Sequence, residues 1–204
     1  MHYDVTTLTV RPGTTPKALP RIEQWLRETQ SAGRLLACWF TELGALNQIM
    51  LIRDYPNEAA MVADRDATVR SRNAYGIADV TVAVSSDTYK QFPFMASMQA
   101  GSVGPIFEVR AYALKPDGLA PTIELWKAAV PNRAKLSPLL AAMYSLGGGM
   151  PRFMHIWPYS SLDERQRIRG EAVKIGVWPP PGGPDQLSSQ QADIFLPASF
   201  SPIH

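Results

Sequence analysis

The second half of this chain repeats the first, and that limits its possible folds more than any other feature. Slid against itself by 104 positions without a gap, the 204-residue sequence sets Val5, Pro12, Leu35, Leu36, Ala37, Gly44, Met50, Ile52 and Tyr55 on Val109, Pro116, Leu139, Leu140, Ala141, Gly148, Met154, Ile156 and Tyr159. Asp4 falls on Glu108, Val10 on Leu114, Arg11 on Lys115, Phe40 on Tyr144 and Thr41 on Ser145. A repeat of this length implies two copies of one domain-sized unit in tandem.

The order of segments within each copy supports the duplication. Each copy opens on an alternating stretch, cleanest in Phe107-Glu108-Val109-Arg110-Ala111-Tyr112-Ala113-Leu114. A period of two predicts a β-strand. Pro12 and Pro116, with Gly13 and Gly118 close by, end it. Helical spacing follows over residues 16–33, with Leu19, Ile22 and Leu26, and over 119–135, with Ile123, Trp126 and Val130. Pro131 is expected to end or kink the latter helix. Two short strands joined by glycine-containing turns come next, at 36–42 and 48–55 and again at 140–145 and 152–159. A second helix starts near Asn57 and near Ser160 and Ser161, and extended stretches at 85–93 and 188–197 close the copies.

That order, β-α-β-β-α-β, is the ferredoxin-like arrangement. The expected fold class is therefore α+β, with two tandem ferredoxin-like units at residues 1–94 and 105–204 and a linker at 95–104. Helices in such a unit cover one face of an antiparallel sheet, and the bare face needs a partner. If the two bare faces meet, the units form an α/β barrel around a cavity. Internal duplication can satisfy the barrel within one chain, and pairing through sheet edges or helices makes a homodimer the expected assembly.

Composition narrows the function classes. The chain is 46% hydrophobic and 19% charged, enough to bury a core. A net charge of +2, from 20 basic and 18 acidic residues without runs of one sign, gives no reason to expect a nucleic-acid partner or a polybasic membrane patch. No stretch approaches the ~20 apolar residues of a membrane span, and residues 1–7 lack the features of a signal peptide. A single cysteine, Cys38, suits a reducing compartment, so a cytoplasmic location is expected. Three histidines, two of them near the ends, make a zinc site unexpected. The Gly147-Gly148-Gly149 run lacks the lysine of a phosphate loop and the spacing of a dinucleotide fingerprint, and no cofactor is expected.

Three segments carry a family resemblance. The run Trp39-Phe40-Thr41-Glu42-Leu43-Gly44-Ala45-Leu46-Asn47-Gln48, leading to Arg53-Asp54-Tyr55, resembles the tryptophan, glutamate, glycine and Leu-Asn pattern of NIPSNAP family proteins. Residues 107–116 resemble that family's opening strand, and Ile156-Trp157-Pro158-Tyr159-Ser160-Ser161-Leu162-Asp163-Glu164-Arg165 its third strand and second helix. Each copy keeps a different part. Copy two has Leu146 and Pro151 where the pattern has Glu and Asn, and copy one has Thr6 and Leu8 where the opening strand has Arg and Tyr. The resemblance implies a dimeric α/β barrel fold and no settled activity. Members of the family have been linked to vesicular transport and mitochondrial scaffolding, and the wider superfamily includes cofactor-poor monooxygenases and haem-degrading enzymes.

Strand alternation proposes the site. Met50, Ile52, Met154 and Ile156 are expected on the helix-packed face. The opposite face, turned to the barrel cavity, would then carry Asp4, Thr6, Leu8, Ile49, Leu51 and Arg53 in copy one. In copy two it would carry Glu108, Arg110, Tyr112, Phe153, His155 and Trp157. His155, the only interior histidine, is the candidate catalytic residue, able to move a proton near neutral pH if Glu108 or Tyr112 orients it. The alternative is a hydrogen-bonded structural histidine. Glu108, Arg110, Tyr112, Trp157 and Arg53 are the candidate ligand-binding residues, with a structural ion pair as the alternative for Glu108 and Arg110. Two function classes follow: a cavity that binds, or acts without cofactor on, a small apolar or aromatic molecule, and a non-enzymatic interaction or scaffold protein that assembles through its sheets.

Overall fold

In the computed structural model, which describes residues 2–149 and 151–204, each repeat folds into four strands and two helices. The first contains β1 (His2–Val10), α1 (Thr15–Glu28), β2 (Arg34–Leu43), β3 (Gln48–Tyr55), α2 (Glu58–Arg70) and β4 (Thr81–Gln91). The second contains β5 (Ile106–Leu114), α3 (Leu119–Arg133), β6 (Ala141–Ser145), β7 (Arg152–Tyr159), α4 (Leu162–Lys174) and β8 (Leu187–Pro197). In the first, β1 pairs antiparallel with both β3 and β4, and β2 pairs with β3. The second repeats the pattern, with β5 between β7 and β8, and β6 beside β7. This is the ferredoxin-like order, twice.

The chain divides into two compact units of residues 1–89, 99–101 and 196–204, and of residues 90–98 and 102–195. The segment at 95–104 contributes to both. In the first unit the end of the chain runs against β2, where the Cys38 N–H donates to Ser201 Oγ at 3.0 Å and the Trp39 indole N–H to the Ile203 carbonyl at 2.9 Å.

Local signals explain the helix starts. Asn57 Oδ1 accepts from the Ala60 N–H at 2.9 Å, and Ser161 Oγ from the Glu164 N–H at 3.0 Å, so each second helix begins on a side-chain cap. Asp163 and Glu164 add negative charge in the first turn of α4, where the helix dipole favours it. Pro131 does not end α3, which runs two residues further to Arg133. Its missing N–H falls in the last turn, where little helix remains to be disrupted.

Which face the helices cover corrects the expectation from alternation. In the first unit Leu8, Ala18, Ile22, Ile49 and Leu51 form one core with Tyr75 and Ile77. In the second, Tyr112, Trp126, Phe153, Trp157 and Ile168 pack together. Ala18 and Ile22 lie on α1, Trp126 on α3 and Ile168 on α4. The face carrying Asp4 and Arg53, or Glu108, Arg110, Tyr112, His155 and Trp157, is thus the helix-covered face. Met50, Ile52, Met154 and Ile156 occupy the other. Alternation separates two faces but does not say which one a helix covers. The covering helices carry arginines, and these make burial of the strand carboxylates possible.

Leu51 is fully buried in the first core, whereas Val69 on α2 is exposed. Leu51→Ala is expected to cost about 2–5 kcal/mol and Val69→Ala less than about 0.5 kcal/mol, read by chemical denaturation.

Candidate functional site

One acidic side chain on the opening strand anchors the charged side chains of each unit. In the first, Asp4 is fully buried. One carboxylate oxygen accepts from Arg53 at 3.0 Å and Thr6 Oγ1 at 2.8 Å, the other from Arg65 and Ser86 Oγ, both at 2.6 Å. In the second unit Glu108, also fully buried, pairs with Arg110 at 2.7 Å, Arg165 at 2.6 Å and Arg169 at 3.5 Å. Burial works to raise the Asp4 carboxyl; Arg53, Ser86, Arg65 and Thr6 outweigh it and hold its pKa below the ordinary value. Burial likewise opposes ionisation of Glu108 and is outweighed by Arg165, Arg169 and Arg110. A carboxylate survives in such a place only because guanidinium groups replace its water.

The strand register brings five of the expected site residues together in the second unit. Arg110 stands opposite His155, Glu108 opposite Trp157, and Tyr112 opposite Phe153. The Arg110 Nε–H donates to the Tyr112 oxygen while its Nη1 holds Glu108, so that strand presents a fixed guanidinium beside a phenol. His155 is 2% exposed. Its partner is neither Glu108 nor Tyr112 but Trp157, whose indole N–H donates to Nδ1 at 2.7 Å. An indole N–H can only donate, so Nδ1 accepts and the proton of the neutral ring sits on Nε2. Burial first, then the charges of Arg110, Arg169 and Arg133, press the His155 pKa well below the usual imidazole value. At neutral pH the ring is a hydrogen-bond donor rather than a proton carrier.

That Nε2 is buried without a hydrogen-bond partner, and so is Oγ1 of Thr122 on α3. Both residues line a cavity of about 190 Å³ under the helices. Trp126, Phe153, Tyr112 and Trp178 supply its aromatic walls, and Arg110, Arg169 and Gln190 its polar rim. The rings meet edge to face: Trp126 lies 4.7 Å from both His155 and Trp178, and Tyr112 lies 4.9 Å from His155. Pro179, Pro180, Gly183 and Pro184 close one side. Glu108 and Trp157 stand behind the lining, holding Arg110 and His155 in place. The volume is below the roughly 300–1,000 Å³ of ordinary ligand pockets, which suits a molecule of one or two rings.

Arg53 is not part of this cluster. It belongs to the first unit, where it bonds Asp4 and lines a cavity of about 180 Å³ with Trp25, Ser31 and Asp64. Cys38 is fully buried in the first unit's core, where burial pushes its thiol pKa up and leaves it unreactive. Among the described residues, no group of three or more His, Cys, Asp or Glu could hold a metal ion, and no helix is long and apolar enough to cross a membrane.

Sequence reasoning missed Thr122, Arg169, Trp178 and Gln190 as site residues. For Arg169 a signal existed: the offset that pairs Asp4 with Glu108 also sets Arg65 on Arg169, and both arginines reach the buried carboxylate of their own unit.

Comparison with known proteins agrees with the duplication. The NIPSNAP family's sequence profile matches twice, at residues 3–94 and 107–202. A NipSnap homologue of Dictyostelium discoideum is 25% identical over 161 residues, which cover 78% of this chain and 72% of that protein. The NipSnap protein of Drosophila melanogaster is 22% identical over 192 residues, covering 82% of this chain and 64% of its own length. Among solved structures, an anthrone oxidase-like protein superposes with a TM-score of 0.68 over 97% of this chain and 91% of its own, at 11% identity. That likeness concerns the fold alone, and it agrees with an α+β chain of two tandem ferredoxin-like units.

Two measurements test the electrostatics. Glu108→Gln leaves three guanidinium groups without their counter-ion and is expected to destabilise the protein by about 3–5 kcal/mol in chemical denaturation. Because the folded pKa of His155 is lowered, the unfolded chain binds its proton first, at pH values below about 6.5. Stability is therefore expected to be full above that pH and to fall as the pH drops below it. His155→Phe should remove this loss and leave the later loss below about pH 4, where Asp4 and Glu108 take up protons on unfolding. Thermal unfolding between pH 8 and 3 reads both.

Proposed function

The chain belongs to the NIPSNAP family, and from that premise we propose that its second unit binds a small, flat, aromatic molecule in the helix-covered pocket around His155. One observation carries this reading. The 104-position offset sets Tyr112, Thr122, Trp126, Phe153 and His155 of the pocket on Leu8, Ala18, Ile22, Ile49 and Leu51, all fully buried members of the first unit's core. The same fold thus fills the same positions with aliphatic side chains in one unit and lines a cavity with aromatic and polar ones in the other. Packing alone does not call for an imidazole, a phenol and an indole where Leu and Ile serve. Buried polar atoms without a partner cost stability unless something binds them. Trp126, Trp178 and Phe153 offer edges and faces to a ring.

The reading concerns binding. A neutral imidazole whose Nδ1 is engaged by Trp157 orients or polarises an acceptor rather than abstracting a proton. If turnover occurs, His155 acts as a hydrogen-bond donor to the reacting oxygen.

The test makes the second unit resemble the first. Tyr112→Leu, Thr122→Ala, Trp126→Ile, Phe153→Ile and His155→Leu are combined with Trp157→Phe, so that no indole N–H is left unpaired. The expected variant folds with unchanged far-UV circular dichroism and gives no thermal shift with aromatic compounds that stabilise the parent. Trp178→Ala, which removes one wall, should weaken the same compounds about tenfold or more in titration calorimetry. Retained binding in the combined variant, or no shift of the parent by any compound of an aromatic library, would sink the proposal.

A further inference from the structure

Two different residues leave an unpaired polar atom in the second unit's cavity, and the ionic groups beside it do not balance. His155 is 2% exposed and Thr122 is 1% exposed, yet His155 Nε2 and Thr122 Oγ1 have no hydrogen-bond partner. A helical threonine can turn its hydroxyl to the carbonyl one turn back. Here the backbone N–H of Thr122 takes the Gly118 carbonyl and the hydroxyl goes unused. Both atoms can donate: Nε2 must, because Nδ1 is engaged by Trp157.

The charges point the same way. Arg110, Arg165 and Arg169 share Glu108 as their carboxylate, three positive charges against one negative. Arg110 and Arg169 also line the cavity. A ligand entering there meets two unsatisfied donors and a local excess of positive charge beside buried groups, where electrostatic attraction is stronger than in bulk water. A neutral ring would leave both donors empty. A single carbonyl oxygen would serve one donor well and leave the charge excess untouched.

Resting on the pocket reading above, we infer that the ligand is an aromatic acid, whose carboxylate takes the hydrogen bonds of His155 Nε2 and Thr122 Oγ1 while its ring lies among Trp126, Phe153 and Trp178. The two carboxylate oxygens match the two donors, and the negative charge offsets the surplus guanidinium. Trp157 is a positioning residue in this arrangement: it does not line the cavity, but it fixes which imidazole nitrogen carries the proton.

Titration calorimetry of the full chain with three probes of one shape tests the inference: 2-naphthoate, 2-naphthamide and naphthalene-2-methanol. Naphthoate is expected to bind about tenfold or more tighter than either neutral probe, a gap that narrows as salt is raised. Thr122→Val and Arg169→Gln should each weaken naphthoate more than either neutral probe and so shrink that gap. Trp178→Ala should weaken all three alike. If naphthamide or the alcohol binds as tightly as naphthoate and Trp178→Ala still weakens them, the pocket stands and the acid is overturned. If none of the three binds while other aromatic compounds do, the acid is overturned as well. If no aromatic compound binds at all, the pocket reading fails with it.

Discussion

A carboxylate buried away from the surface sets the terms for both halves of this protein. Asp4 and Glu108 occupy equivalent places on the opening strands, and each is fully buried. Neither could stay ionised without guanidinium groups, and an arginine from the second helix supplies one in each unit: Arg65 on α2 to Asp4 and Arg169 on α4 to Glu108. The helix must therefore lie where its arginine can reach the strand, so the ion pair fixes position as well as charge. An apolar contact at the same point would tolerate sliding. A buried carboxylate does not, because any displacement leaves a charge without a partner.

The strands, the helices and their order could be read from the sequence because they depend on local patterns. Alternation in residues 107–114, the spacing of Ile123, Trp126 and Val130, and the caps at Asn57 and Ser161 are all short-range signals. The face assignment could not be read, because a strand with apolar residues on both sides has two credible cores. Met50 and Ile52 look more like core residues than Asp4 and Arg53 do. The structure puts the charged set under the helices, where Arg65 and Ser86 complete its hydrogen bonds from elements far away in sequence. The candidate site was partly legible for the same reason. His155, Arg110 and Tyr112 stand out by residue type on neighbouring strands. Thr122, Trp178 and Gln190 join them only through tertiary packing.

Duplication helps to explain how one fold carries both a packed core and a cavity. The family pattern is split between the copies, with Thr6 and Leu8 in the first where Arg110 and Tyr112 stand in the second. On the helix side this split becomes physical. Leu8, Ile22 and Leu51 close the first unit with aliphatic packing, so its stability does not lean on polar groups at those positions. The second unit accepts unpaired donors and a void, both unfavourable by themselves.

Under the proposed binding role, the proline-rich segment on one side of the cavity bears on how fast a guest would come and go. Pro179, Pro180 and Pro184 have backbone torsions already restricted by their rings, and together with Trp178 and Gly183 they form a wall that loses little freedom when the cavity fills. A wall of flexible residues would have to be frozen around each guest, at an entropic cost repeated on every visit. With the wall already in shape, residence time depends on the contacts a guest makes and on the opening it must pass. Changes in the length or composition of that one surface segment could then retune exchange without disturbing the sheet beneath it.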